Sequence, residues 1–309
     1  MAIVLIRQDD KLALWKKAIL RKFPTIPVYH YLEEHPVEDI TMAIVWKHPH
    51  GSLAKYPKLK CIASFGAGVD FIFNDPTLAG TIPVTRVIDP VLAADMSEYV
   101  ISAILGYLKN FNSYQQDQNK GVWEPKPYQR IQDHTIGILG AGTLGMTLAQ
   151  DLKKIGFGVI GWVNSARQEQ KIPMYVGDSQ KSEFLKKSTV LVCLLPLTKT
   201  TTGILNKENL SQLPVGSFLI NVARGGHLVE SDLIELLNEG HLSGACLDVF
   251  NEEPLPKTHP FWKHPKIQIT PHVASVSDPN SVVPQLIENY FRLCECKPLL
   301  NEVDLSKGY

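Results

Sequence analysis

The sequence predicts an α/β protein built from two doubly wound parallel sheets. Three observations carry that prediction. Short apolar runs alternate with segments whose apolar residues recur at helical spacing, along nearly the whole chain. One of those runs ends in a glycine-rich turn that opens a helix. At 309 residues the chain is long enough for two domains of this kind.

Taken in order, 2–6 reads as a buried strand, followed by Leu12, Leu14, Trp15, Ala18 and Ile19 at helical spacing. Strands follow at 27–31 and 42–46, then a short helix over 53–59 with a proline inside its pattern, then strands at 61–65 and 84–87. One long helix is predicted from about 95 to 119, where Ala103, Ile104, Tyr107, Leu108 and Phe111 recur at three and four. The polar, proline-containing stretch 120–132 reads as the crossing into the next domain. The second half shows strands at 136–139, 158–163, 190–195, 217–221, 245–249 and 267–270, separated by helices at 146–155, 181–187, 207–212 and 230–239. A last helix, 278–294, has no strand after it and is expected to pack back on the N-terminal half.

Composition narrows the functional classes. Lysine plus arginine (31) balances aspartate plus glutamate (31), so no general attraction to nucleic acid or to an anionic membrane is expected. No apolar run approaches the ~18 residues of a membrane-spanning helix. The opening Met-Ala-Ile-Val-Leu-Ile-Arg is too short for a signal peptide and lacks a basic start. Five scattered cysteines, at 61, 193, 246, 294 and 296, suggest a reducing, cytoplasmic setting rather than a disulfide framework. Cys294 and Cys296 are the only close pair, and without a second ligand pair they do not predict a metal site.

The glycine turn is Gly140-Ala-Gly-Thr-Leu-Gly145, preceded by the apolar 136–139 and followed by a helical pattern. In that context Gly140 makes the tight turn, Gly142 lets backbone approach a pyrophosphate, and Gly145 permits close helix–strand packing. Free N–H groups and the helix dipole favour the anion. The next strand ends Asn164-Ser165-Ala-Arg167, with no Asp or Glu. A carboxylate there would select NAD(H) through the ribose hydroxyls, whereas Arg167 attracts a 2′-phosphate. NADP(H) is therefore the preferred cofactor, with NAD(H) possible; the plain alternative is that Arg167 is a solvated surface residue.

Three further strands end in residues with chemistry: Arg224 in Asn221-Val-Ala-Arg-Gly225, Glu253 after Asp248, and His272 in Thr270-Pro-His272. Ligands of open α/β sheets bind beyond the carboxyl ends of strands. An arginine suits a carboxylate or keto acid because its planar fork binds two oxygens. A histidine backed by a carboxylate is oriented to give a proton to a carbonyl oxygen as hydride arrives at carbon. Singly, each is an ordinary surface or structural residue; the spacing of the three gives the pattern meaning.

With these residues in view, the chain resembles the D-2-hydroxyacid dehydrogenase family, and within it the bacterial reductases of glyoxylate and hydroxypyruvate. The resemblance runs from Trp46 through Phe65-Gly-Ala-Gly-Val-Asp70, the glycine turn, Leu194-Leu-Pro-Leu-Thr198 and the Arg224 segment. It continues through Leu247-Asp-Val-Phe-Asn-Glu-Glu-Pro-Leu255 and Ile269-Thr-Pro-His-Val-Ala274 to Gly308-Tyr309. It implies a Rossmann cofactor domain (94–274) inserted into a flavodoxin-like substrate-binding domain (1–93 and 275–309). It implies a catalytic trio: Arg224 on the substrate's oxygens, His272 as general acid, Glu253 keeping His272 protonated. Trp46, Ala67 and Gly68 would line the substrate, with Arg224 and His272. The cofactor would meet Gly140, Gly142, Thr143, Leu144, Gly145, Asn164, Ser165, Arg167, Leu195, Pro196, Val222, Ala223 and Asp248, the last holding the nicotinamide carboxamide. A homodimer is implied, with Trp123 on a segment that crosses to the partner in relatives. One departure weakens the cofactor reading: related reductases carry more than one basic residue where this chain has Asn164, Ala166 and Arg167.

The implied activity is NADPH-dependent reduction of glyoxylate to glycolate and of hydroxypyruvate to D-glycerate. Two alternatives stay open from sequence: an NAD-dependent D-lactate or phosphoglycerate dehydrogenase, and a non-catalytic dinucleotide-sensing protein like the corepressors on this fold. Neutral Asn164 and Ser165 weigh against the first, and the intact trio against the second.

Overall fold

A computed structural model describes the whole chain except residues 10, 79, 166–170, 305–307 and 309. Among the described residues the strands form two sheets, and every neighbouring pair in both is parallel. The chain divides into two units, Met1–Leu92 with Ser277–Tyr309, and Ala93–Val276.

The first unit carries β1 (Ala2–Arg7), α1 (Leu12–Lys22), β2 (Val28–His30), β3 (Ile40–Trp46), β4 (Cys61–Ser64), the short α2 (Asp70–Phe73) and β5 (Val84–Thr85), in the order β2-β1-β3-β4-β5. A parallel sheet is covered on both faces, so its strands read as continuous apolar runs. β1 shows the consequence, since all six of its residues are buried. Ile3 and Leu5 join one core layer, and Ala2, Val4 and Ile6 the other, as a period of two requires. The late helix α9 (Pro279–Cys294) covers the first layer beside α1, contributing Val282, Val283, Leu286 and Ile287. Asp278 caps it by accepting from Asn280 N–H at 3.1 Å, and proline occupies its first turn, where no N–H is needed.

The second unit holds most of α3 (Pro90–Leu108), then α4 (Phe111–Lys120), β6 (Thr135–Leu139), α5 (Thr143–Ile155), β7 (Gly158–Val163), β8 (Met174–Val176), α6 (Gly177–Lys187) and β9 (Val190–Cys193). It continues with α7 (Lys207–Leu210), β10 (Ser217–Asn221), α8 (Glu230–Asn238), β11 (Leu242–Leu247) and β12 (Ile267–Ile269). The sheet order is β12-β11-β10-β9-β6-β7-β8, so the direction of winding reverses between β6 and β9.

Several elements differ from the sequence expectation. The helix at 53–59 is a single 3-10 turn, Leu53–Lys55, because Pro57 has no N–H with which to continue it. The long helix over 95–119 is two helices, broken where Asn110 takes a left-handed conformation (φ 58°). Residues 120–132 lie inside the second unit instead of between units. β8, which follows Pro173, was not foreseen; it is a three-residue, half-buried strand with no alternation long enough to read. Contrary to the composition reading, α3 is long and apolar enough to cross a membrane by length and composition. A core helix passes the same test, and α3 places Met96, Val100, Ile104 and Leu108 in the core of the second unit.

Candidate active site

The glycine turn lies at the carboxyl end of β6, where the strand order reverses. Gly140 and Ala141 donate their N–H groups to the Trp162 carbonyl at 3.0 and 3.3 Å. Gly140 has φ +96°, and a Cβ there would lie 2.7 Å from the Leu194 carbonyl carbon and oxygen, so only glycine fits. A Cβ on Gly145 would stand 2.5 Å from the Gly140 carbonyl oxygen, which is the close helix–strand approach read from the motif. Helix α5 opens at Thr143 with no acidic residue in its first turn, leaving its N-terminal dipole uncompensated for an anion. Thr143 is exposed and Leu144 half-buried. At the end of β7, Asn164 and Ser165 are exposed, and Arg167 lies outside the described residues. After β9, Leu195 is buried and the Pro196 carbonyl accepts from Thr201 Oγ1 at 2.7 Å.

The trio sits beyond three adjacent strands, β10, β11 and β12. Beyond β10, buried Asn221 pins the turn, donating from Nδ2 to the Arg224 carbonyl (3.0 Å) and accepting from Ala223 N–H (3.2 Å). Val222 and Ala223 are buried within it. Arg224 is half-buried, and its Nη1 donates to the Ala223 carbonyl at 2.7 Å. A Cβ on Gly225 would overlap the backbone of Phe250, so the turn after β10 lies directly on the turn after β11. Phe250 N–H donates to Glu253 Oε1 at 3.1 Å, and Glu253 Oε2 meets His272 Nδ1 at 2.9 Å. His272 has φ +55°, and its N–H donates to the Asp248 carbonyl at 2.8 Å. The His227 ring is buried between the Arg224 carbonyl (3.1 Å from Nδ1) and the Pro196 carbonyl (3.3 Å from Nε2). Burial pushes the Cys193 thiol of this sheet up to about 12, so it stays protonated and unreactive at neutral pH.

In the first unit, Trp46 ends β3 and its ring meets Phe71 edge-on at 5.2 Å. A Cβ on Gly66 would stand 3.4 Å from the indole, so the turn after β4 packs against Trp46. Ser64 organises that turn, accepting from Gly66 N–H at 3.1 Å and donating to the Gly68 carbonyl at 2.8 Å. Ala67 and Gly68 are half-buried.

Comparison with known proteins agrees with this geometry. Residues 101–274 match the family described as D-isomer specific 2-hydroxyacid dehydrogenase, NAD binding domain. The chain belongs to this family. It is 41% identical, over 272 residues, to the glyoxylate/hydroxypyruvate reductase A of Serratia proteamaculans, covering 86% of this chain and 87% of that protein. Among solved structures it is similar to a D-isomer specific 2-hydroxyacid dehydrogenase from Xanthobacter autotrophicus in complex with NADPH and MES. That match has 35% identity and a TM-score of 0.94, covering 100% of this chain and 99% of the other. It is also similar to an NADPH-dependent glyoxylate/hydroxypyruvate reductase from Sinorhizobium meliloti in complex with NADP and sulfate, with 33% identity, a TM-score of 0.92, and coverage of 100% and 99%. Family, two-sheet α/β fold and dehydrogenase class are those the motifs implied.

Some residues that shape this dehydrogenase site gave no usable signal in sequence. Ser64, Asn221 and His227 act by hydrogen-bonding backbone turns, which no spacing rule reports. Gly225 was read only as part of a motif, although its missing side chain lets two strand ends meet. The sequence assigns Asp248 to the cofactor alone, yet its carboxylate accepts from the N–H groups of Val273 and Ala274, the two residues that follow His272.

Proposed function

We propose that the protein reduces small 2-keto acids, glyoxylate and hydroxypyruvate, to glycolate and D-glycerate with NADPH. The observation that carries this reading is the 2.9 Å contact between His272 Nδ1 and Glu253, one strand end from Arg224. The fit of the cofactor rests on the Gly140 cradle and on neutral Asn164 and Ser165, with no carboxylate at the end of β7 among the described residues. NADPH, when bound, supplies the hydride. Arg224 holds the substrate's carboxylate and carbonyl oxygens with its two-pronged guanidinium. His272 delivers a proton from Nε2 to the keto oxygen, so that no alkoxide has to accumulate. Glu253 fixes the ring through Nδ1 and compensates the imidazolium charge. Asp248 would place the nicotinamide carboxamide.

Of the relatives named above, the Serratia protein is a glyoxylate/hydroxypyruvate reductase, and the Sinorhizobium reductase holds NADP, which supports this reading. The test is absorbance of NADPH on adding glyoxylate, hydroxypyruvate, pyruvate or phenylpyruvate, repeated with NADH. Rapid NADPH oxidation by the first two supports the reading; a strong preference for NADH would overturn the cofactor assignment, and no turnover with any acid would overturn the reaction. We also propose a homodimer, supported by the fully exposed Trp123 and by exposed Phe111 and Tyr128 around α4. Light scattering on the purified protein gives the mass directly, and a monomer at micromolar concentration would refute it.

A further inference from the structure

His272 holds a left-handed backbone conformation, φ +55°, which is strained for a residue with a β-carbon. Such a conformation persists only where its surroundings over-determine it. Asp248 supplies that constraint. Its carbonyl accepts from His272 N–H at 2.8 Å, its Oδ1 from Val273 N–H at 2.9 Å, and its Oδ2 from Ala274 N–H at 2.9 Å. The carboxylate is itself held in place, because Thr270 Oγ1 donates to Oδ1 at 2.6 Å. That bond uses the only hydroxyl proton of Thr270. The 2.6 Å contact between Tyr99 and Thr270 therefore runs from the phenol to the threonine. Tyr99 arrives from α3, more than a hundred residues earlier in the chain. Burial first, and then the neighbouring Cys246 thiol, push its phenol well above the ordinary value, so it remains a donor at any working pH.

We propose that Tyr99 and Thr270 are positioning residues, a buried hydroxyl chain that fixes Asp248 and, through it, the left-handed backbone that aims His272. The inference rests on reading His272 as the general acid. Without the threonine hydroxyl, Asp248 Oδ1 loses one of two donors inside the protein, where a lost partner is costly. The loop at 272–274 then gains freedom to relax toward ordinary backbone angles. A displacement of about 1 Å at a reacting group can cost on the order of 10²-fold in rate, so a small relaxation is enough to be read kinetically.

The test uses the full chain with NADPH and glyoxylate, and five variants: Thr270→Val, Thr270→Ser, Tyr99→Phe, His272→Ala, and Thr270→Val combined with His272→Ala. Thr270→Val should lower kcat about tenfold or more while KM for glyoxylate moves less than about twofold. Thr270→Ser keeps the proton and should restore most of the loss. Tyr99→Phe, one bond further out, should lower kcat about two- to fivefold. In the His272→Ala background Thr270→Val should add nothing, because two changes that act through one group are not additive. An unchanged kcat in Thr270→Val, a failed rescue by serine, or the same loss persisting in the His272→Ala background would each overturn the inference. If Thr270→Val does not fold, the serine and Tyr99→Phe variants decide, and an unchanged kcat in Tyr99→Phe counts against it. Full turnover in His272→Ala alone would instead remove the general acid, a separable failure.

Discussion

The two ends of the seven-stranded sheet are built from different materials. At β6 and β7 the site is backbone: a left-handed glycine, N–H groups on the Trp162 carbonyl, and a helix that opens without an acidic residue. At β10 to β12 the site is side chains joined to backbone by hydrogen bonds, as in Asn221 to Arg224, Glu253 to His272, and Asp248 to the 273–274 amides. Backbone suits a ligand group whose charge is fixed, such as a phosphate. A reacting carbonyl needs groups that can exchange protons, and only side chains do that at neutral pH.

The largest test of this contrast is His272→Ala. It should lower kcat by roughly 10²–10⁴ with little change in KM for the keto acid, as removal of a general acid does. Steady-state kinetics with NADPH checks it, and full turnover at pH 7 would make the side-chain end passive. Gly140→Ala comes next. The left-handed backbone costs about 1–2 kcal/mol with a β-carbon and forced overpacking about 1–3 kcal/mol more, so Tm should fall and NADPH affinity with it. Calorimetry and fluorescence titration report both, and an unshifted Tm would show that the cradle yields. Glu253→Gln keeps the shape and removes the charge. It should lower kcat more than it raises KM, by about tenfold, and a variant as fast as the parent would leave Glu253 a structural residue. Arg224→Ala should act chiefly on KM for the keto acid, which separates substrate binding from proton transfer within the same end.

The smallest effect lies in the first unit and asks whether acid stability is independent of both ends. There the buried His48 Nε2 meets Asp75 Oδ2 at 3.1 Å. Burial works to raise the Asp75 carboxyl, but donors from Thr77, Gly51 and His48 outweigh it and hold it at about 2, below the usual 3.8. Burial lowers His48 from 6.5, with Asp75 opposing. Both groups bind protons more readily when unfolded, so both stabilise the fold at neutral pH and lose that contribution on acidification. The loss begins below pH 6.5 with His48 and continues from 3.8 toward about 2 with Asp75. Tm measured against pH should fall through these windows, and Asp75→Asn should flatten the lower one.

The contrast between the ends also explains what could be read in the sequence. Gly140, Gly142 and Gly145 announce themselves because a backbone site needs contiguous glycines before a helix. Most strands were legible for a similar reason, since parallel strands buried on both faces are unbroken apolar runs, as 190–193 is. Arg224, Glu253 and His272 are far apart in sequence, and ending separate strands was the only local signal they gave. The bonds that hold them were not legible. Ser64 and Asn221 bond the backbone of their own turns, which their residue types permit but do not require, and Thr270 reaches a carboxylate 22 residues away that only the folded chain brings near. The break at Asn110 was missed because a helical period survives across it, and one left-handed residue leaves no mark on hydrophobic spacing.

The first unit is discontinuous, and its last helix is the lining of its first sheet. Val282, Val283, Leu286 and Ile287 of α9 complete a layer begun by Ile3, Leu5, Trp15 and Ile19, and the Tyr290 hydroxyl donates to the Met1 carbonyl at 2.9 Å. During synthesis this sheet emerges first and is sealed last. The ribosome produces the entire second unit while one apolar face of the first stands uncovered, and exposed apolar surface of that kind is what makes folding intermediates prone to aggregate. A circular permutant that places α9 ahead of β1 would remove that delay, and Tyr290 of α9 already reaches Met1.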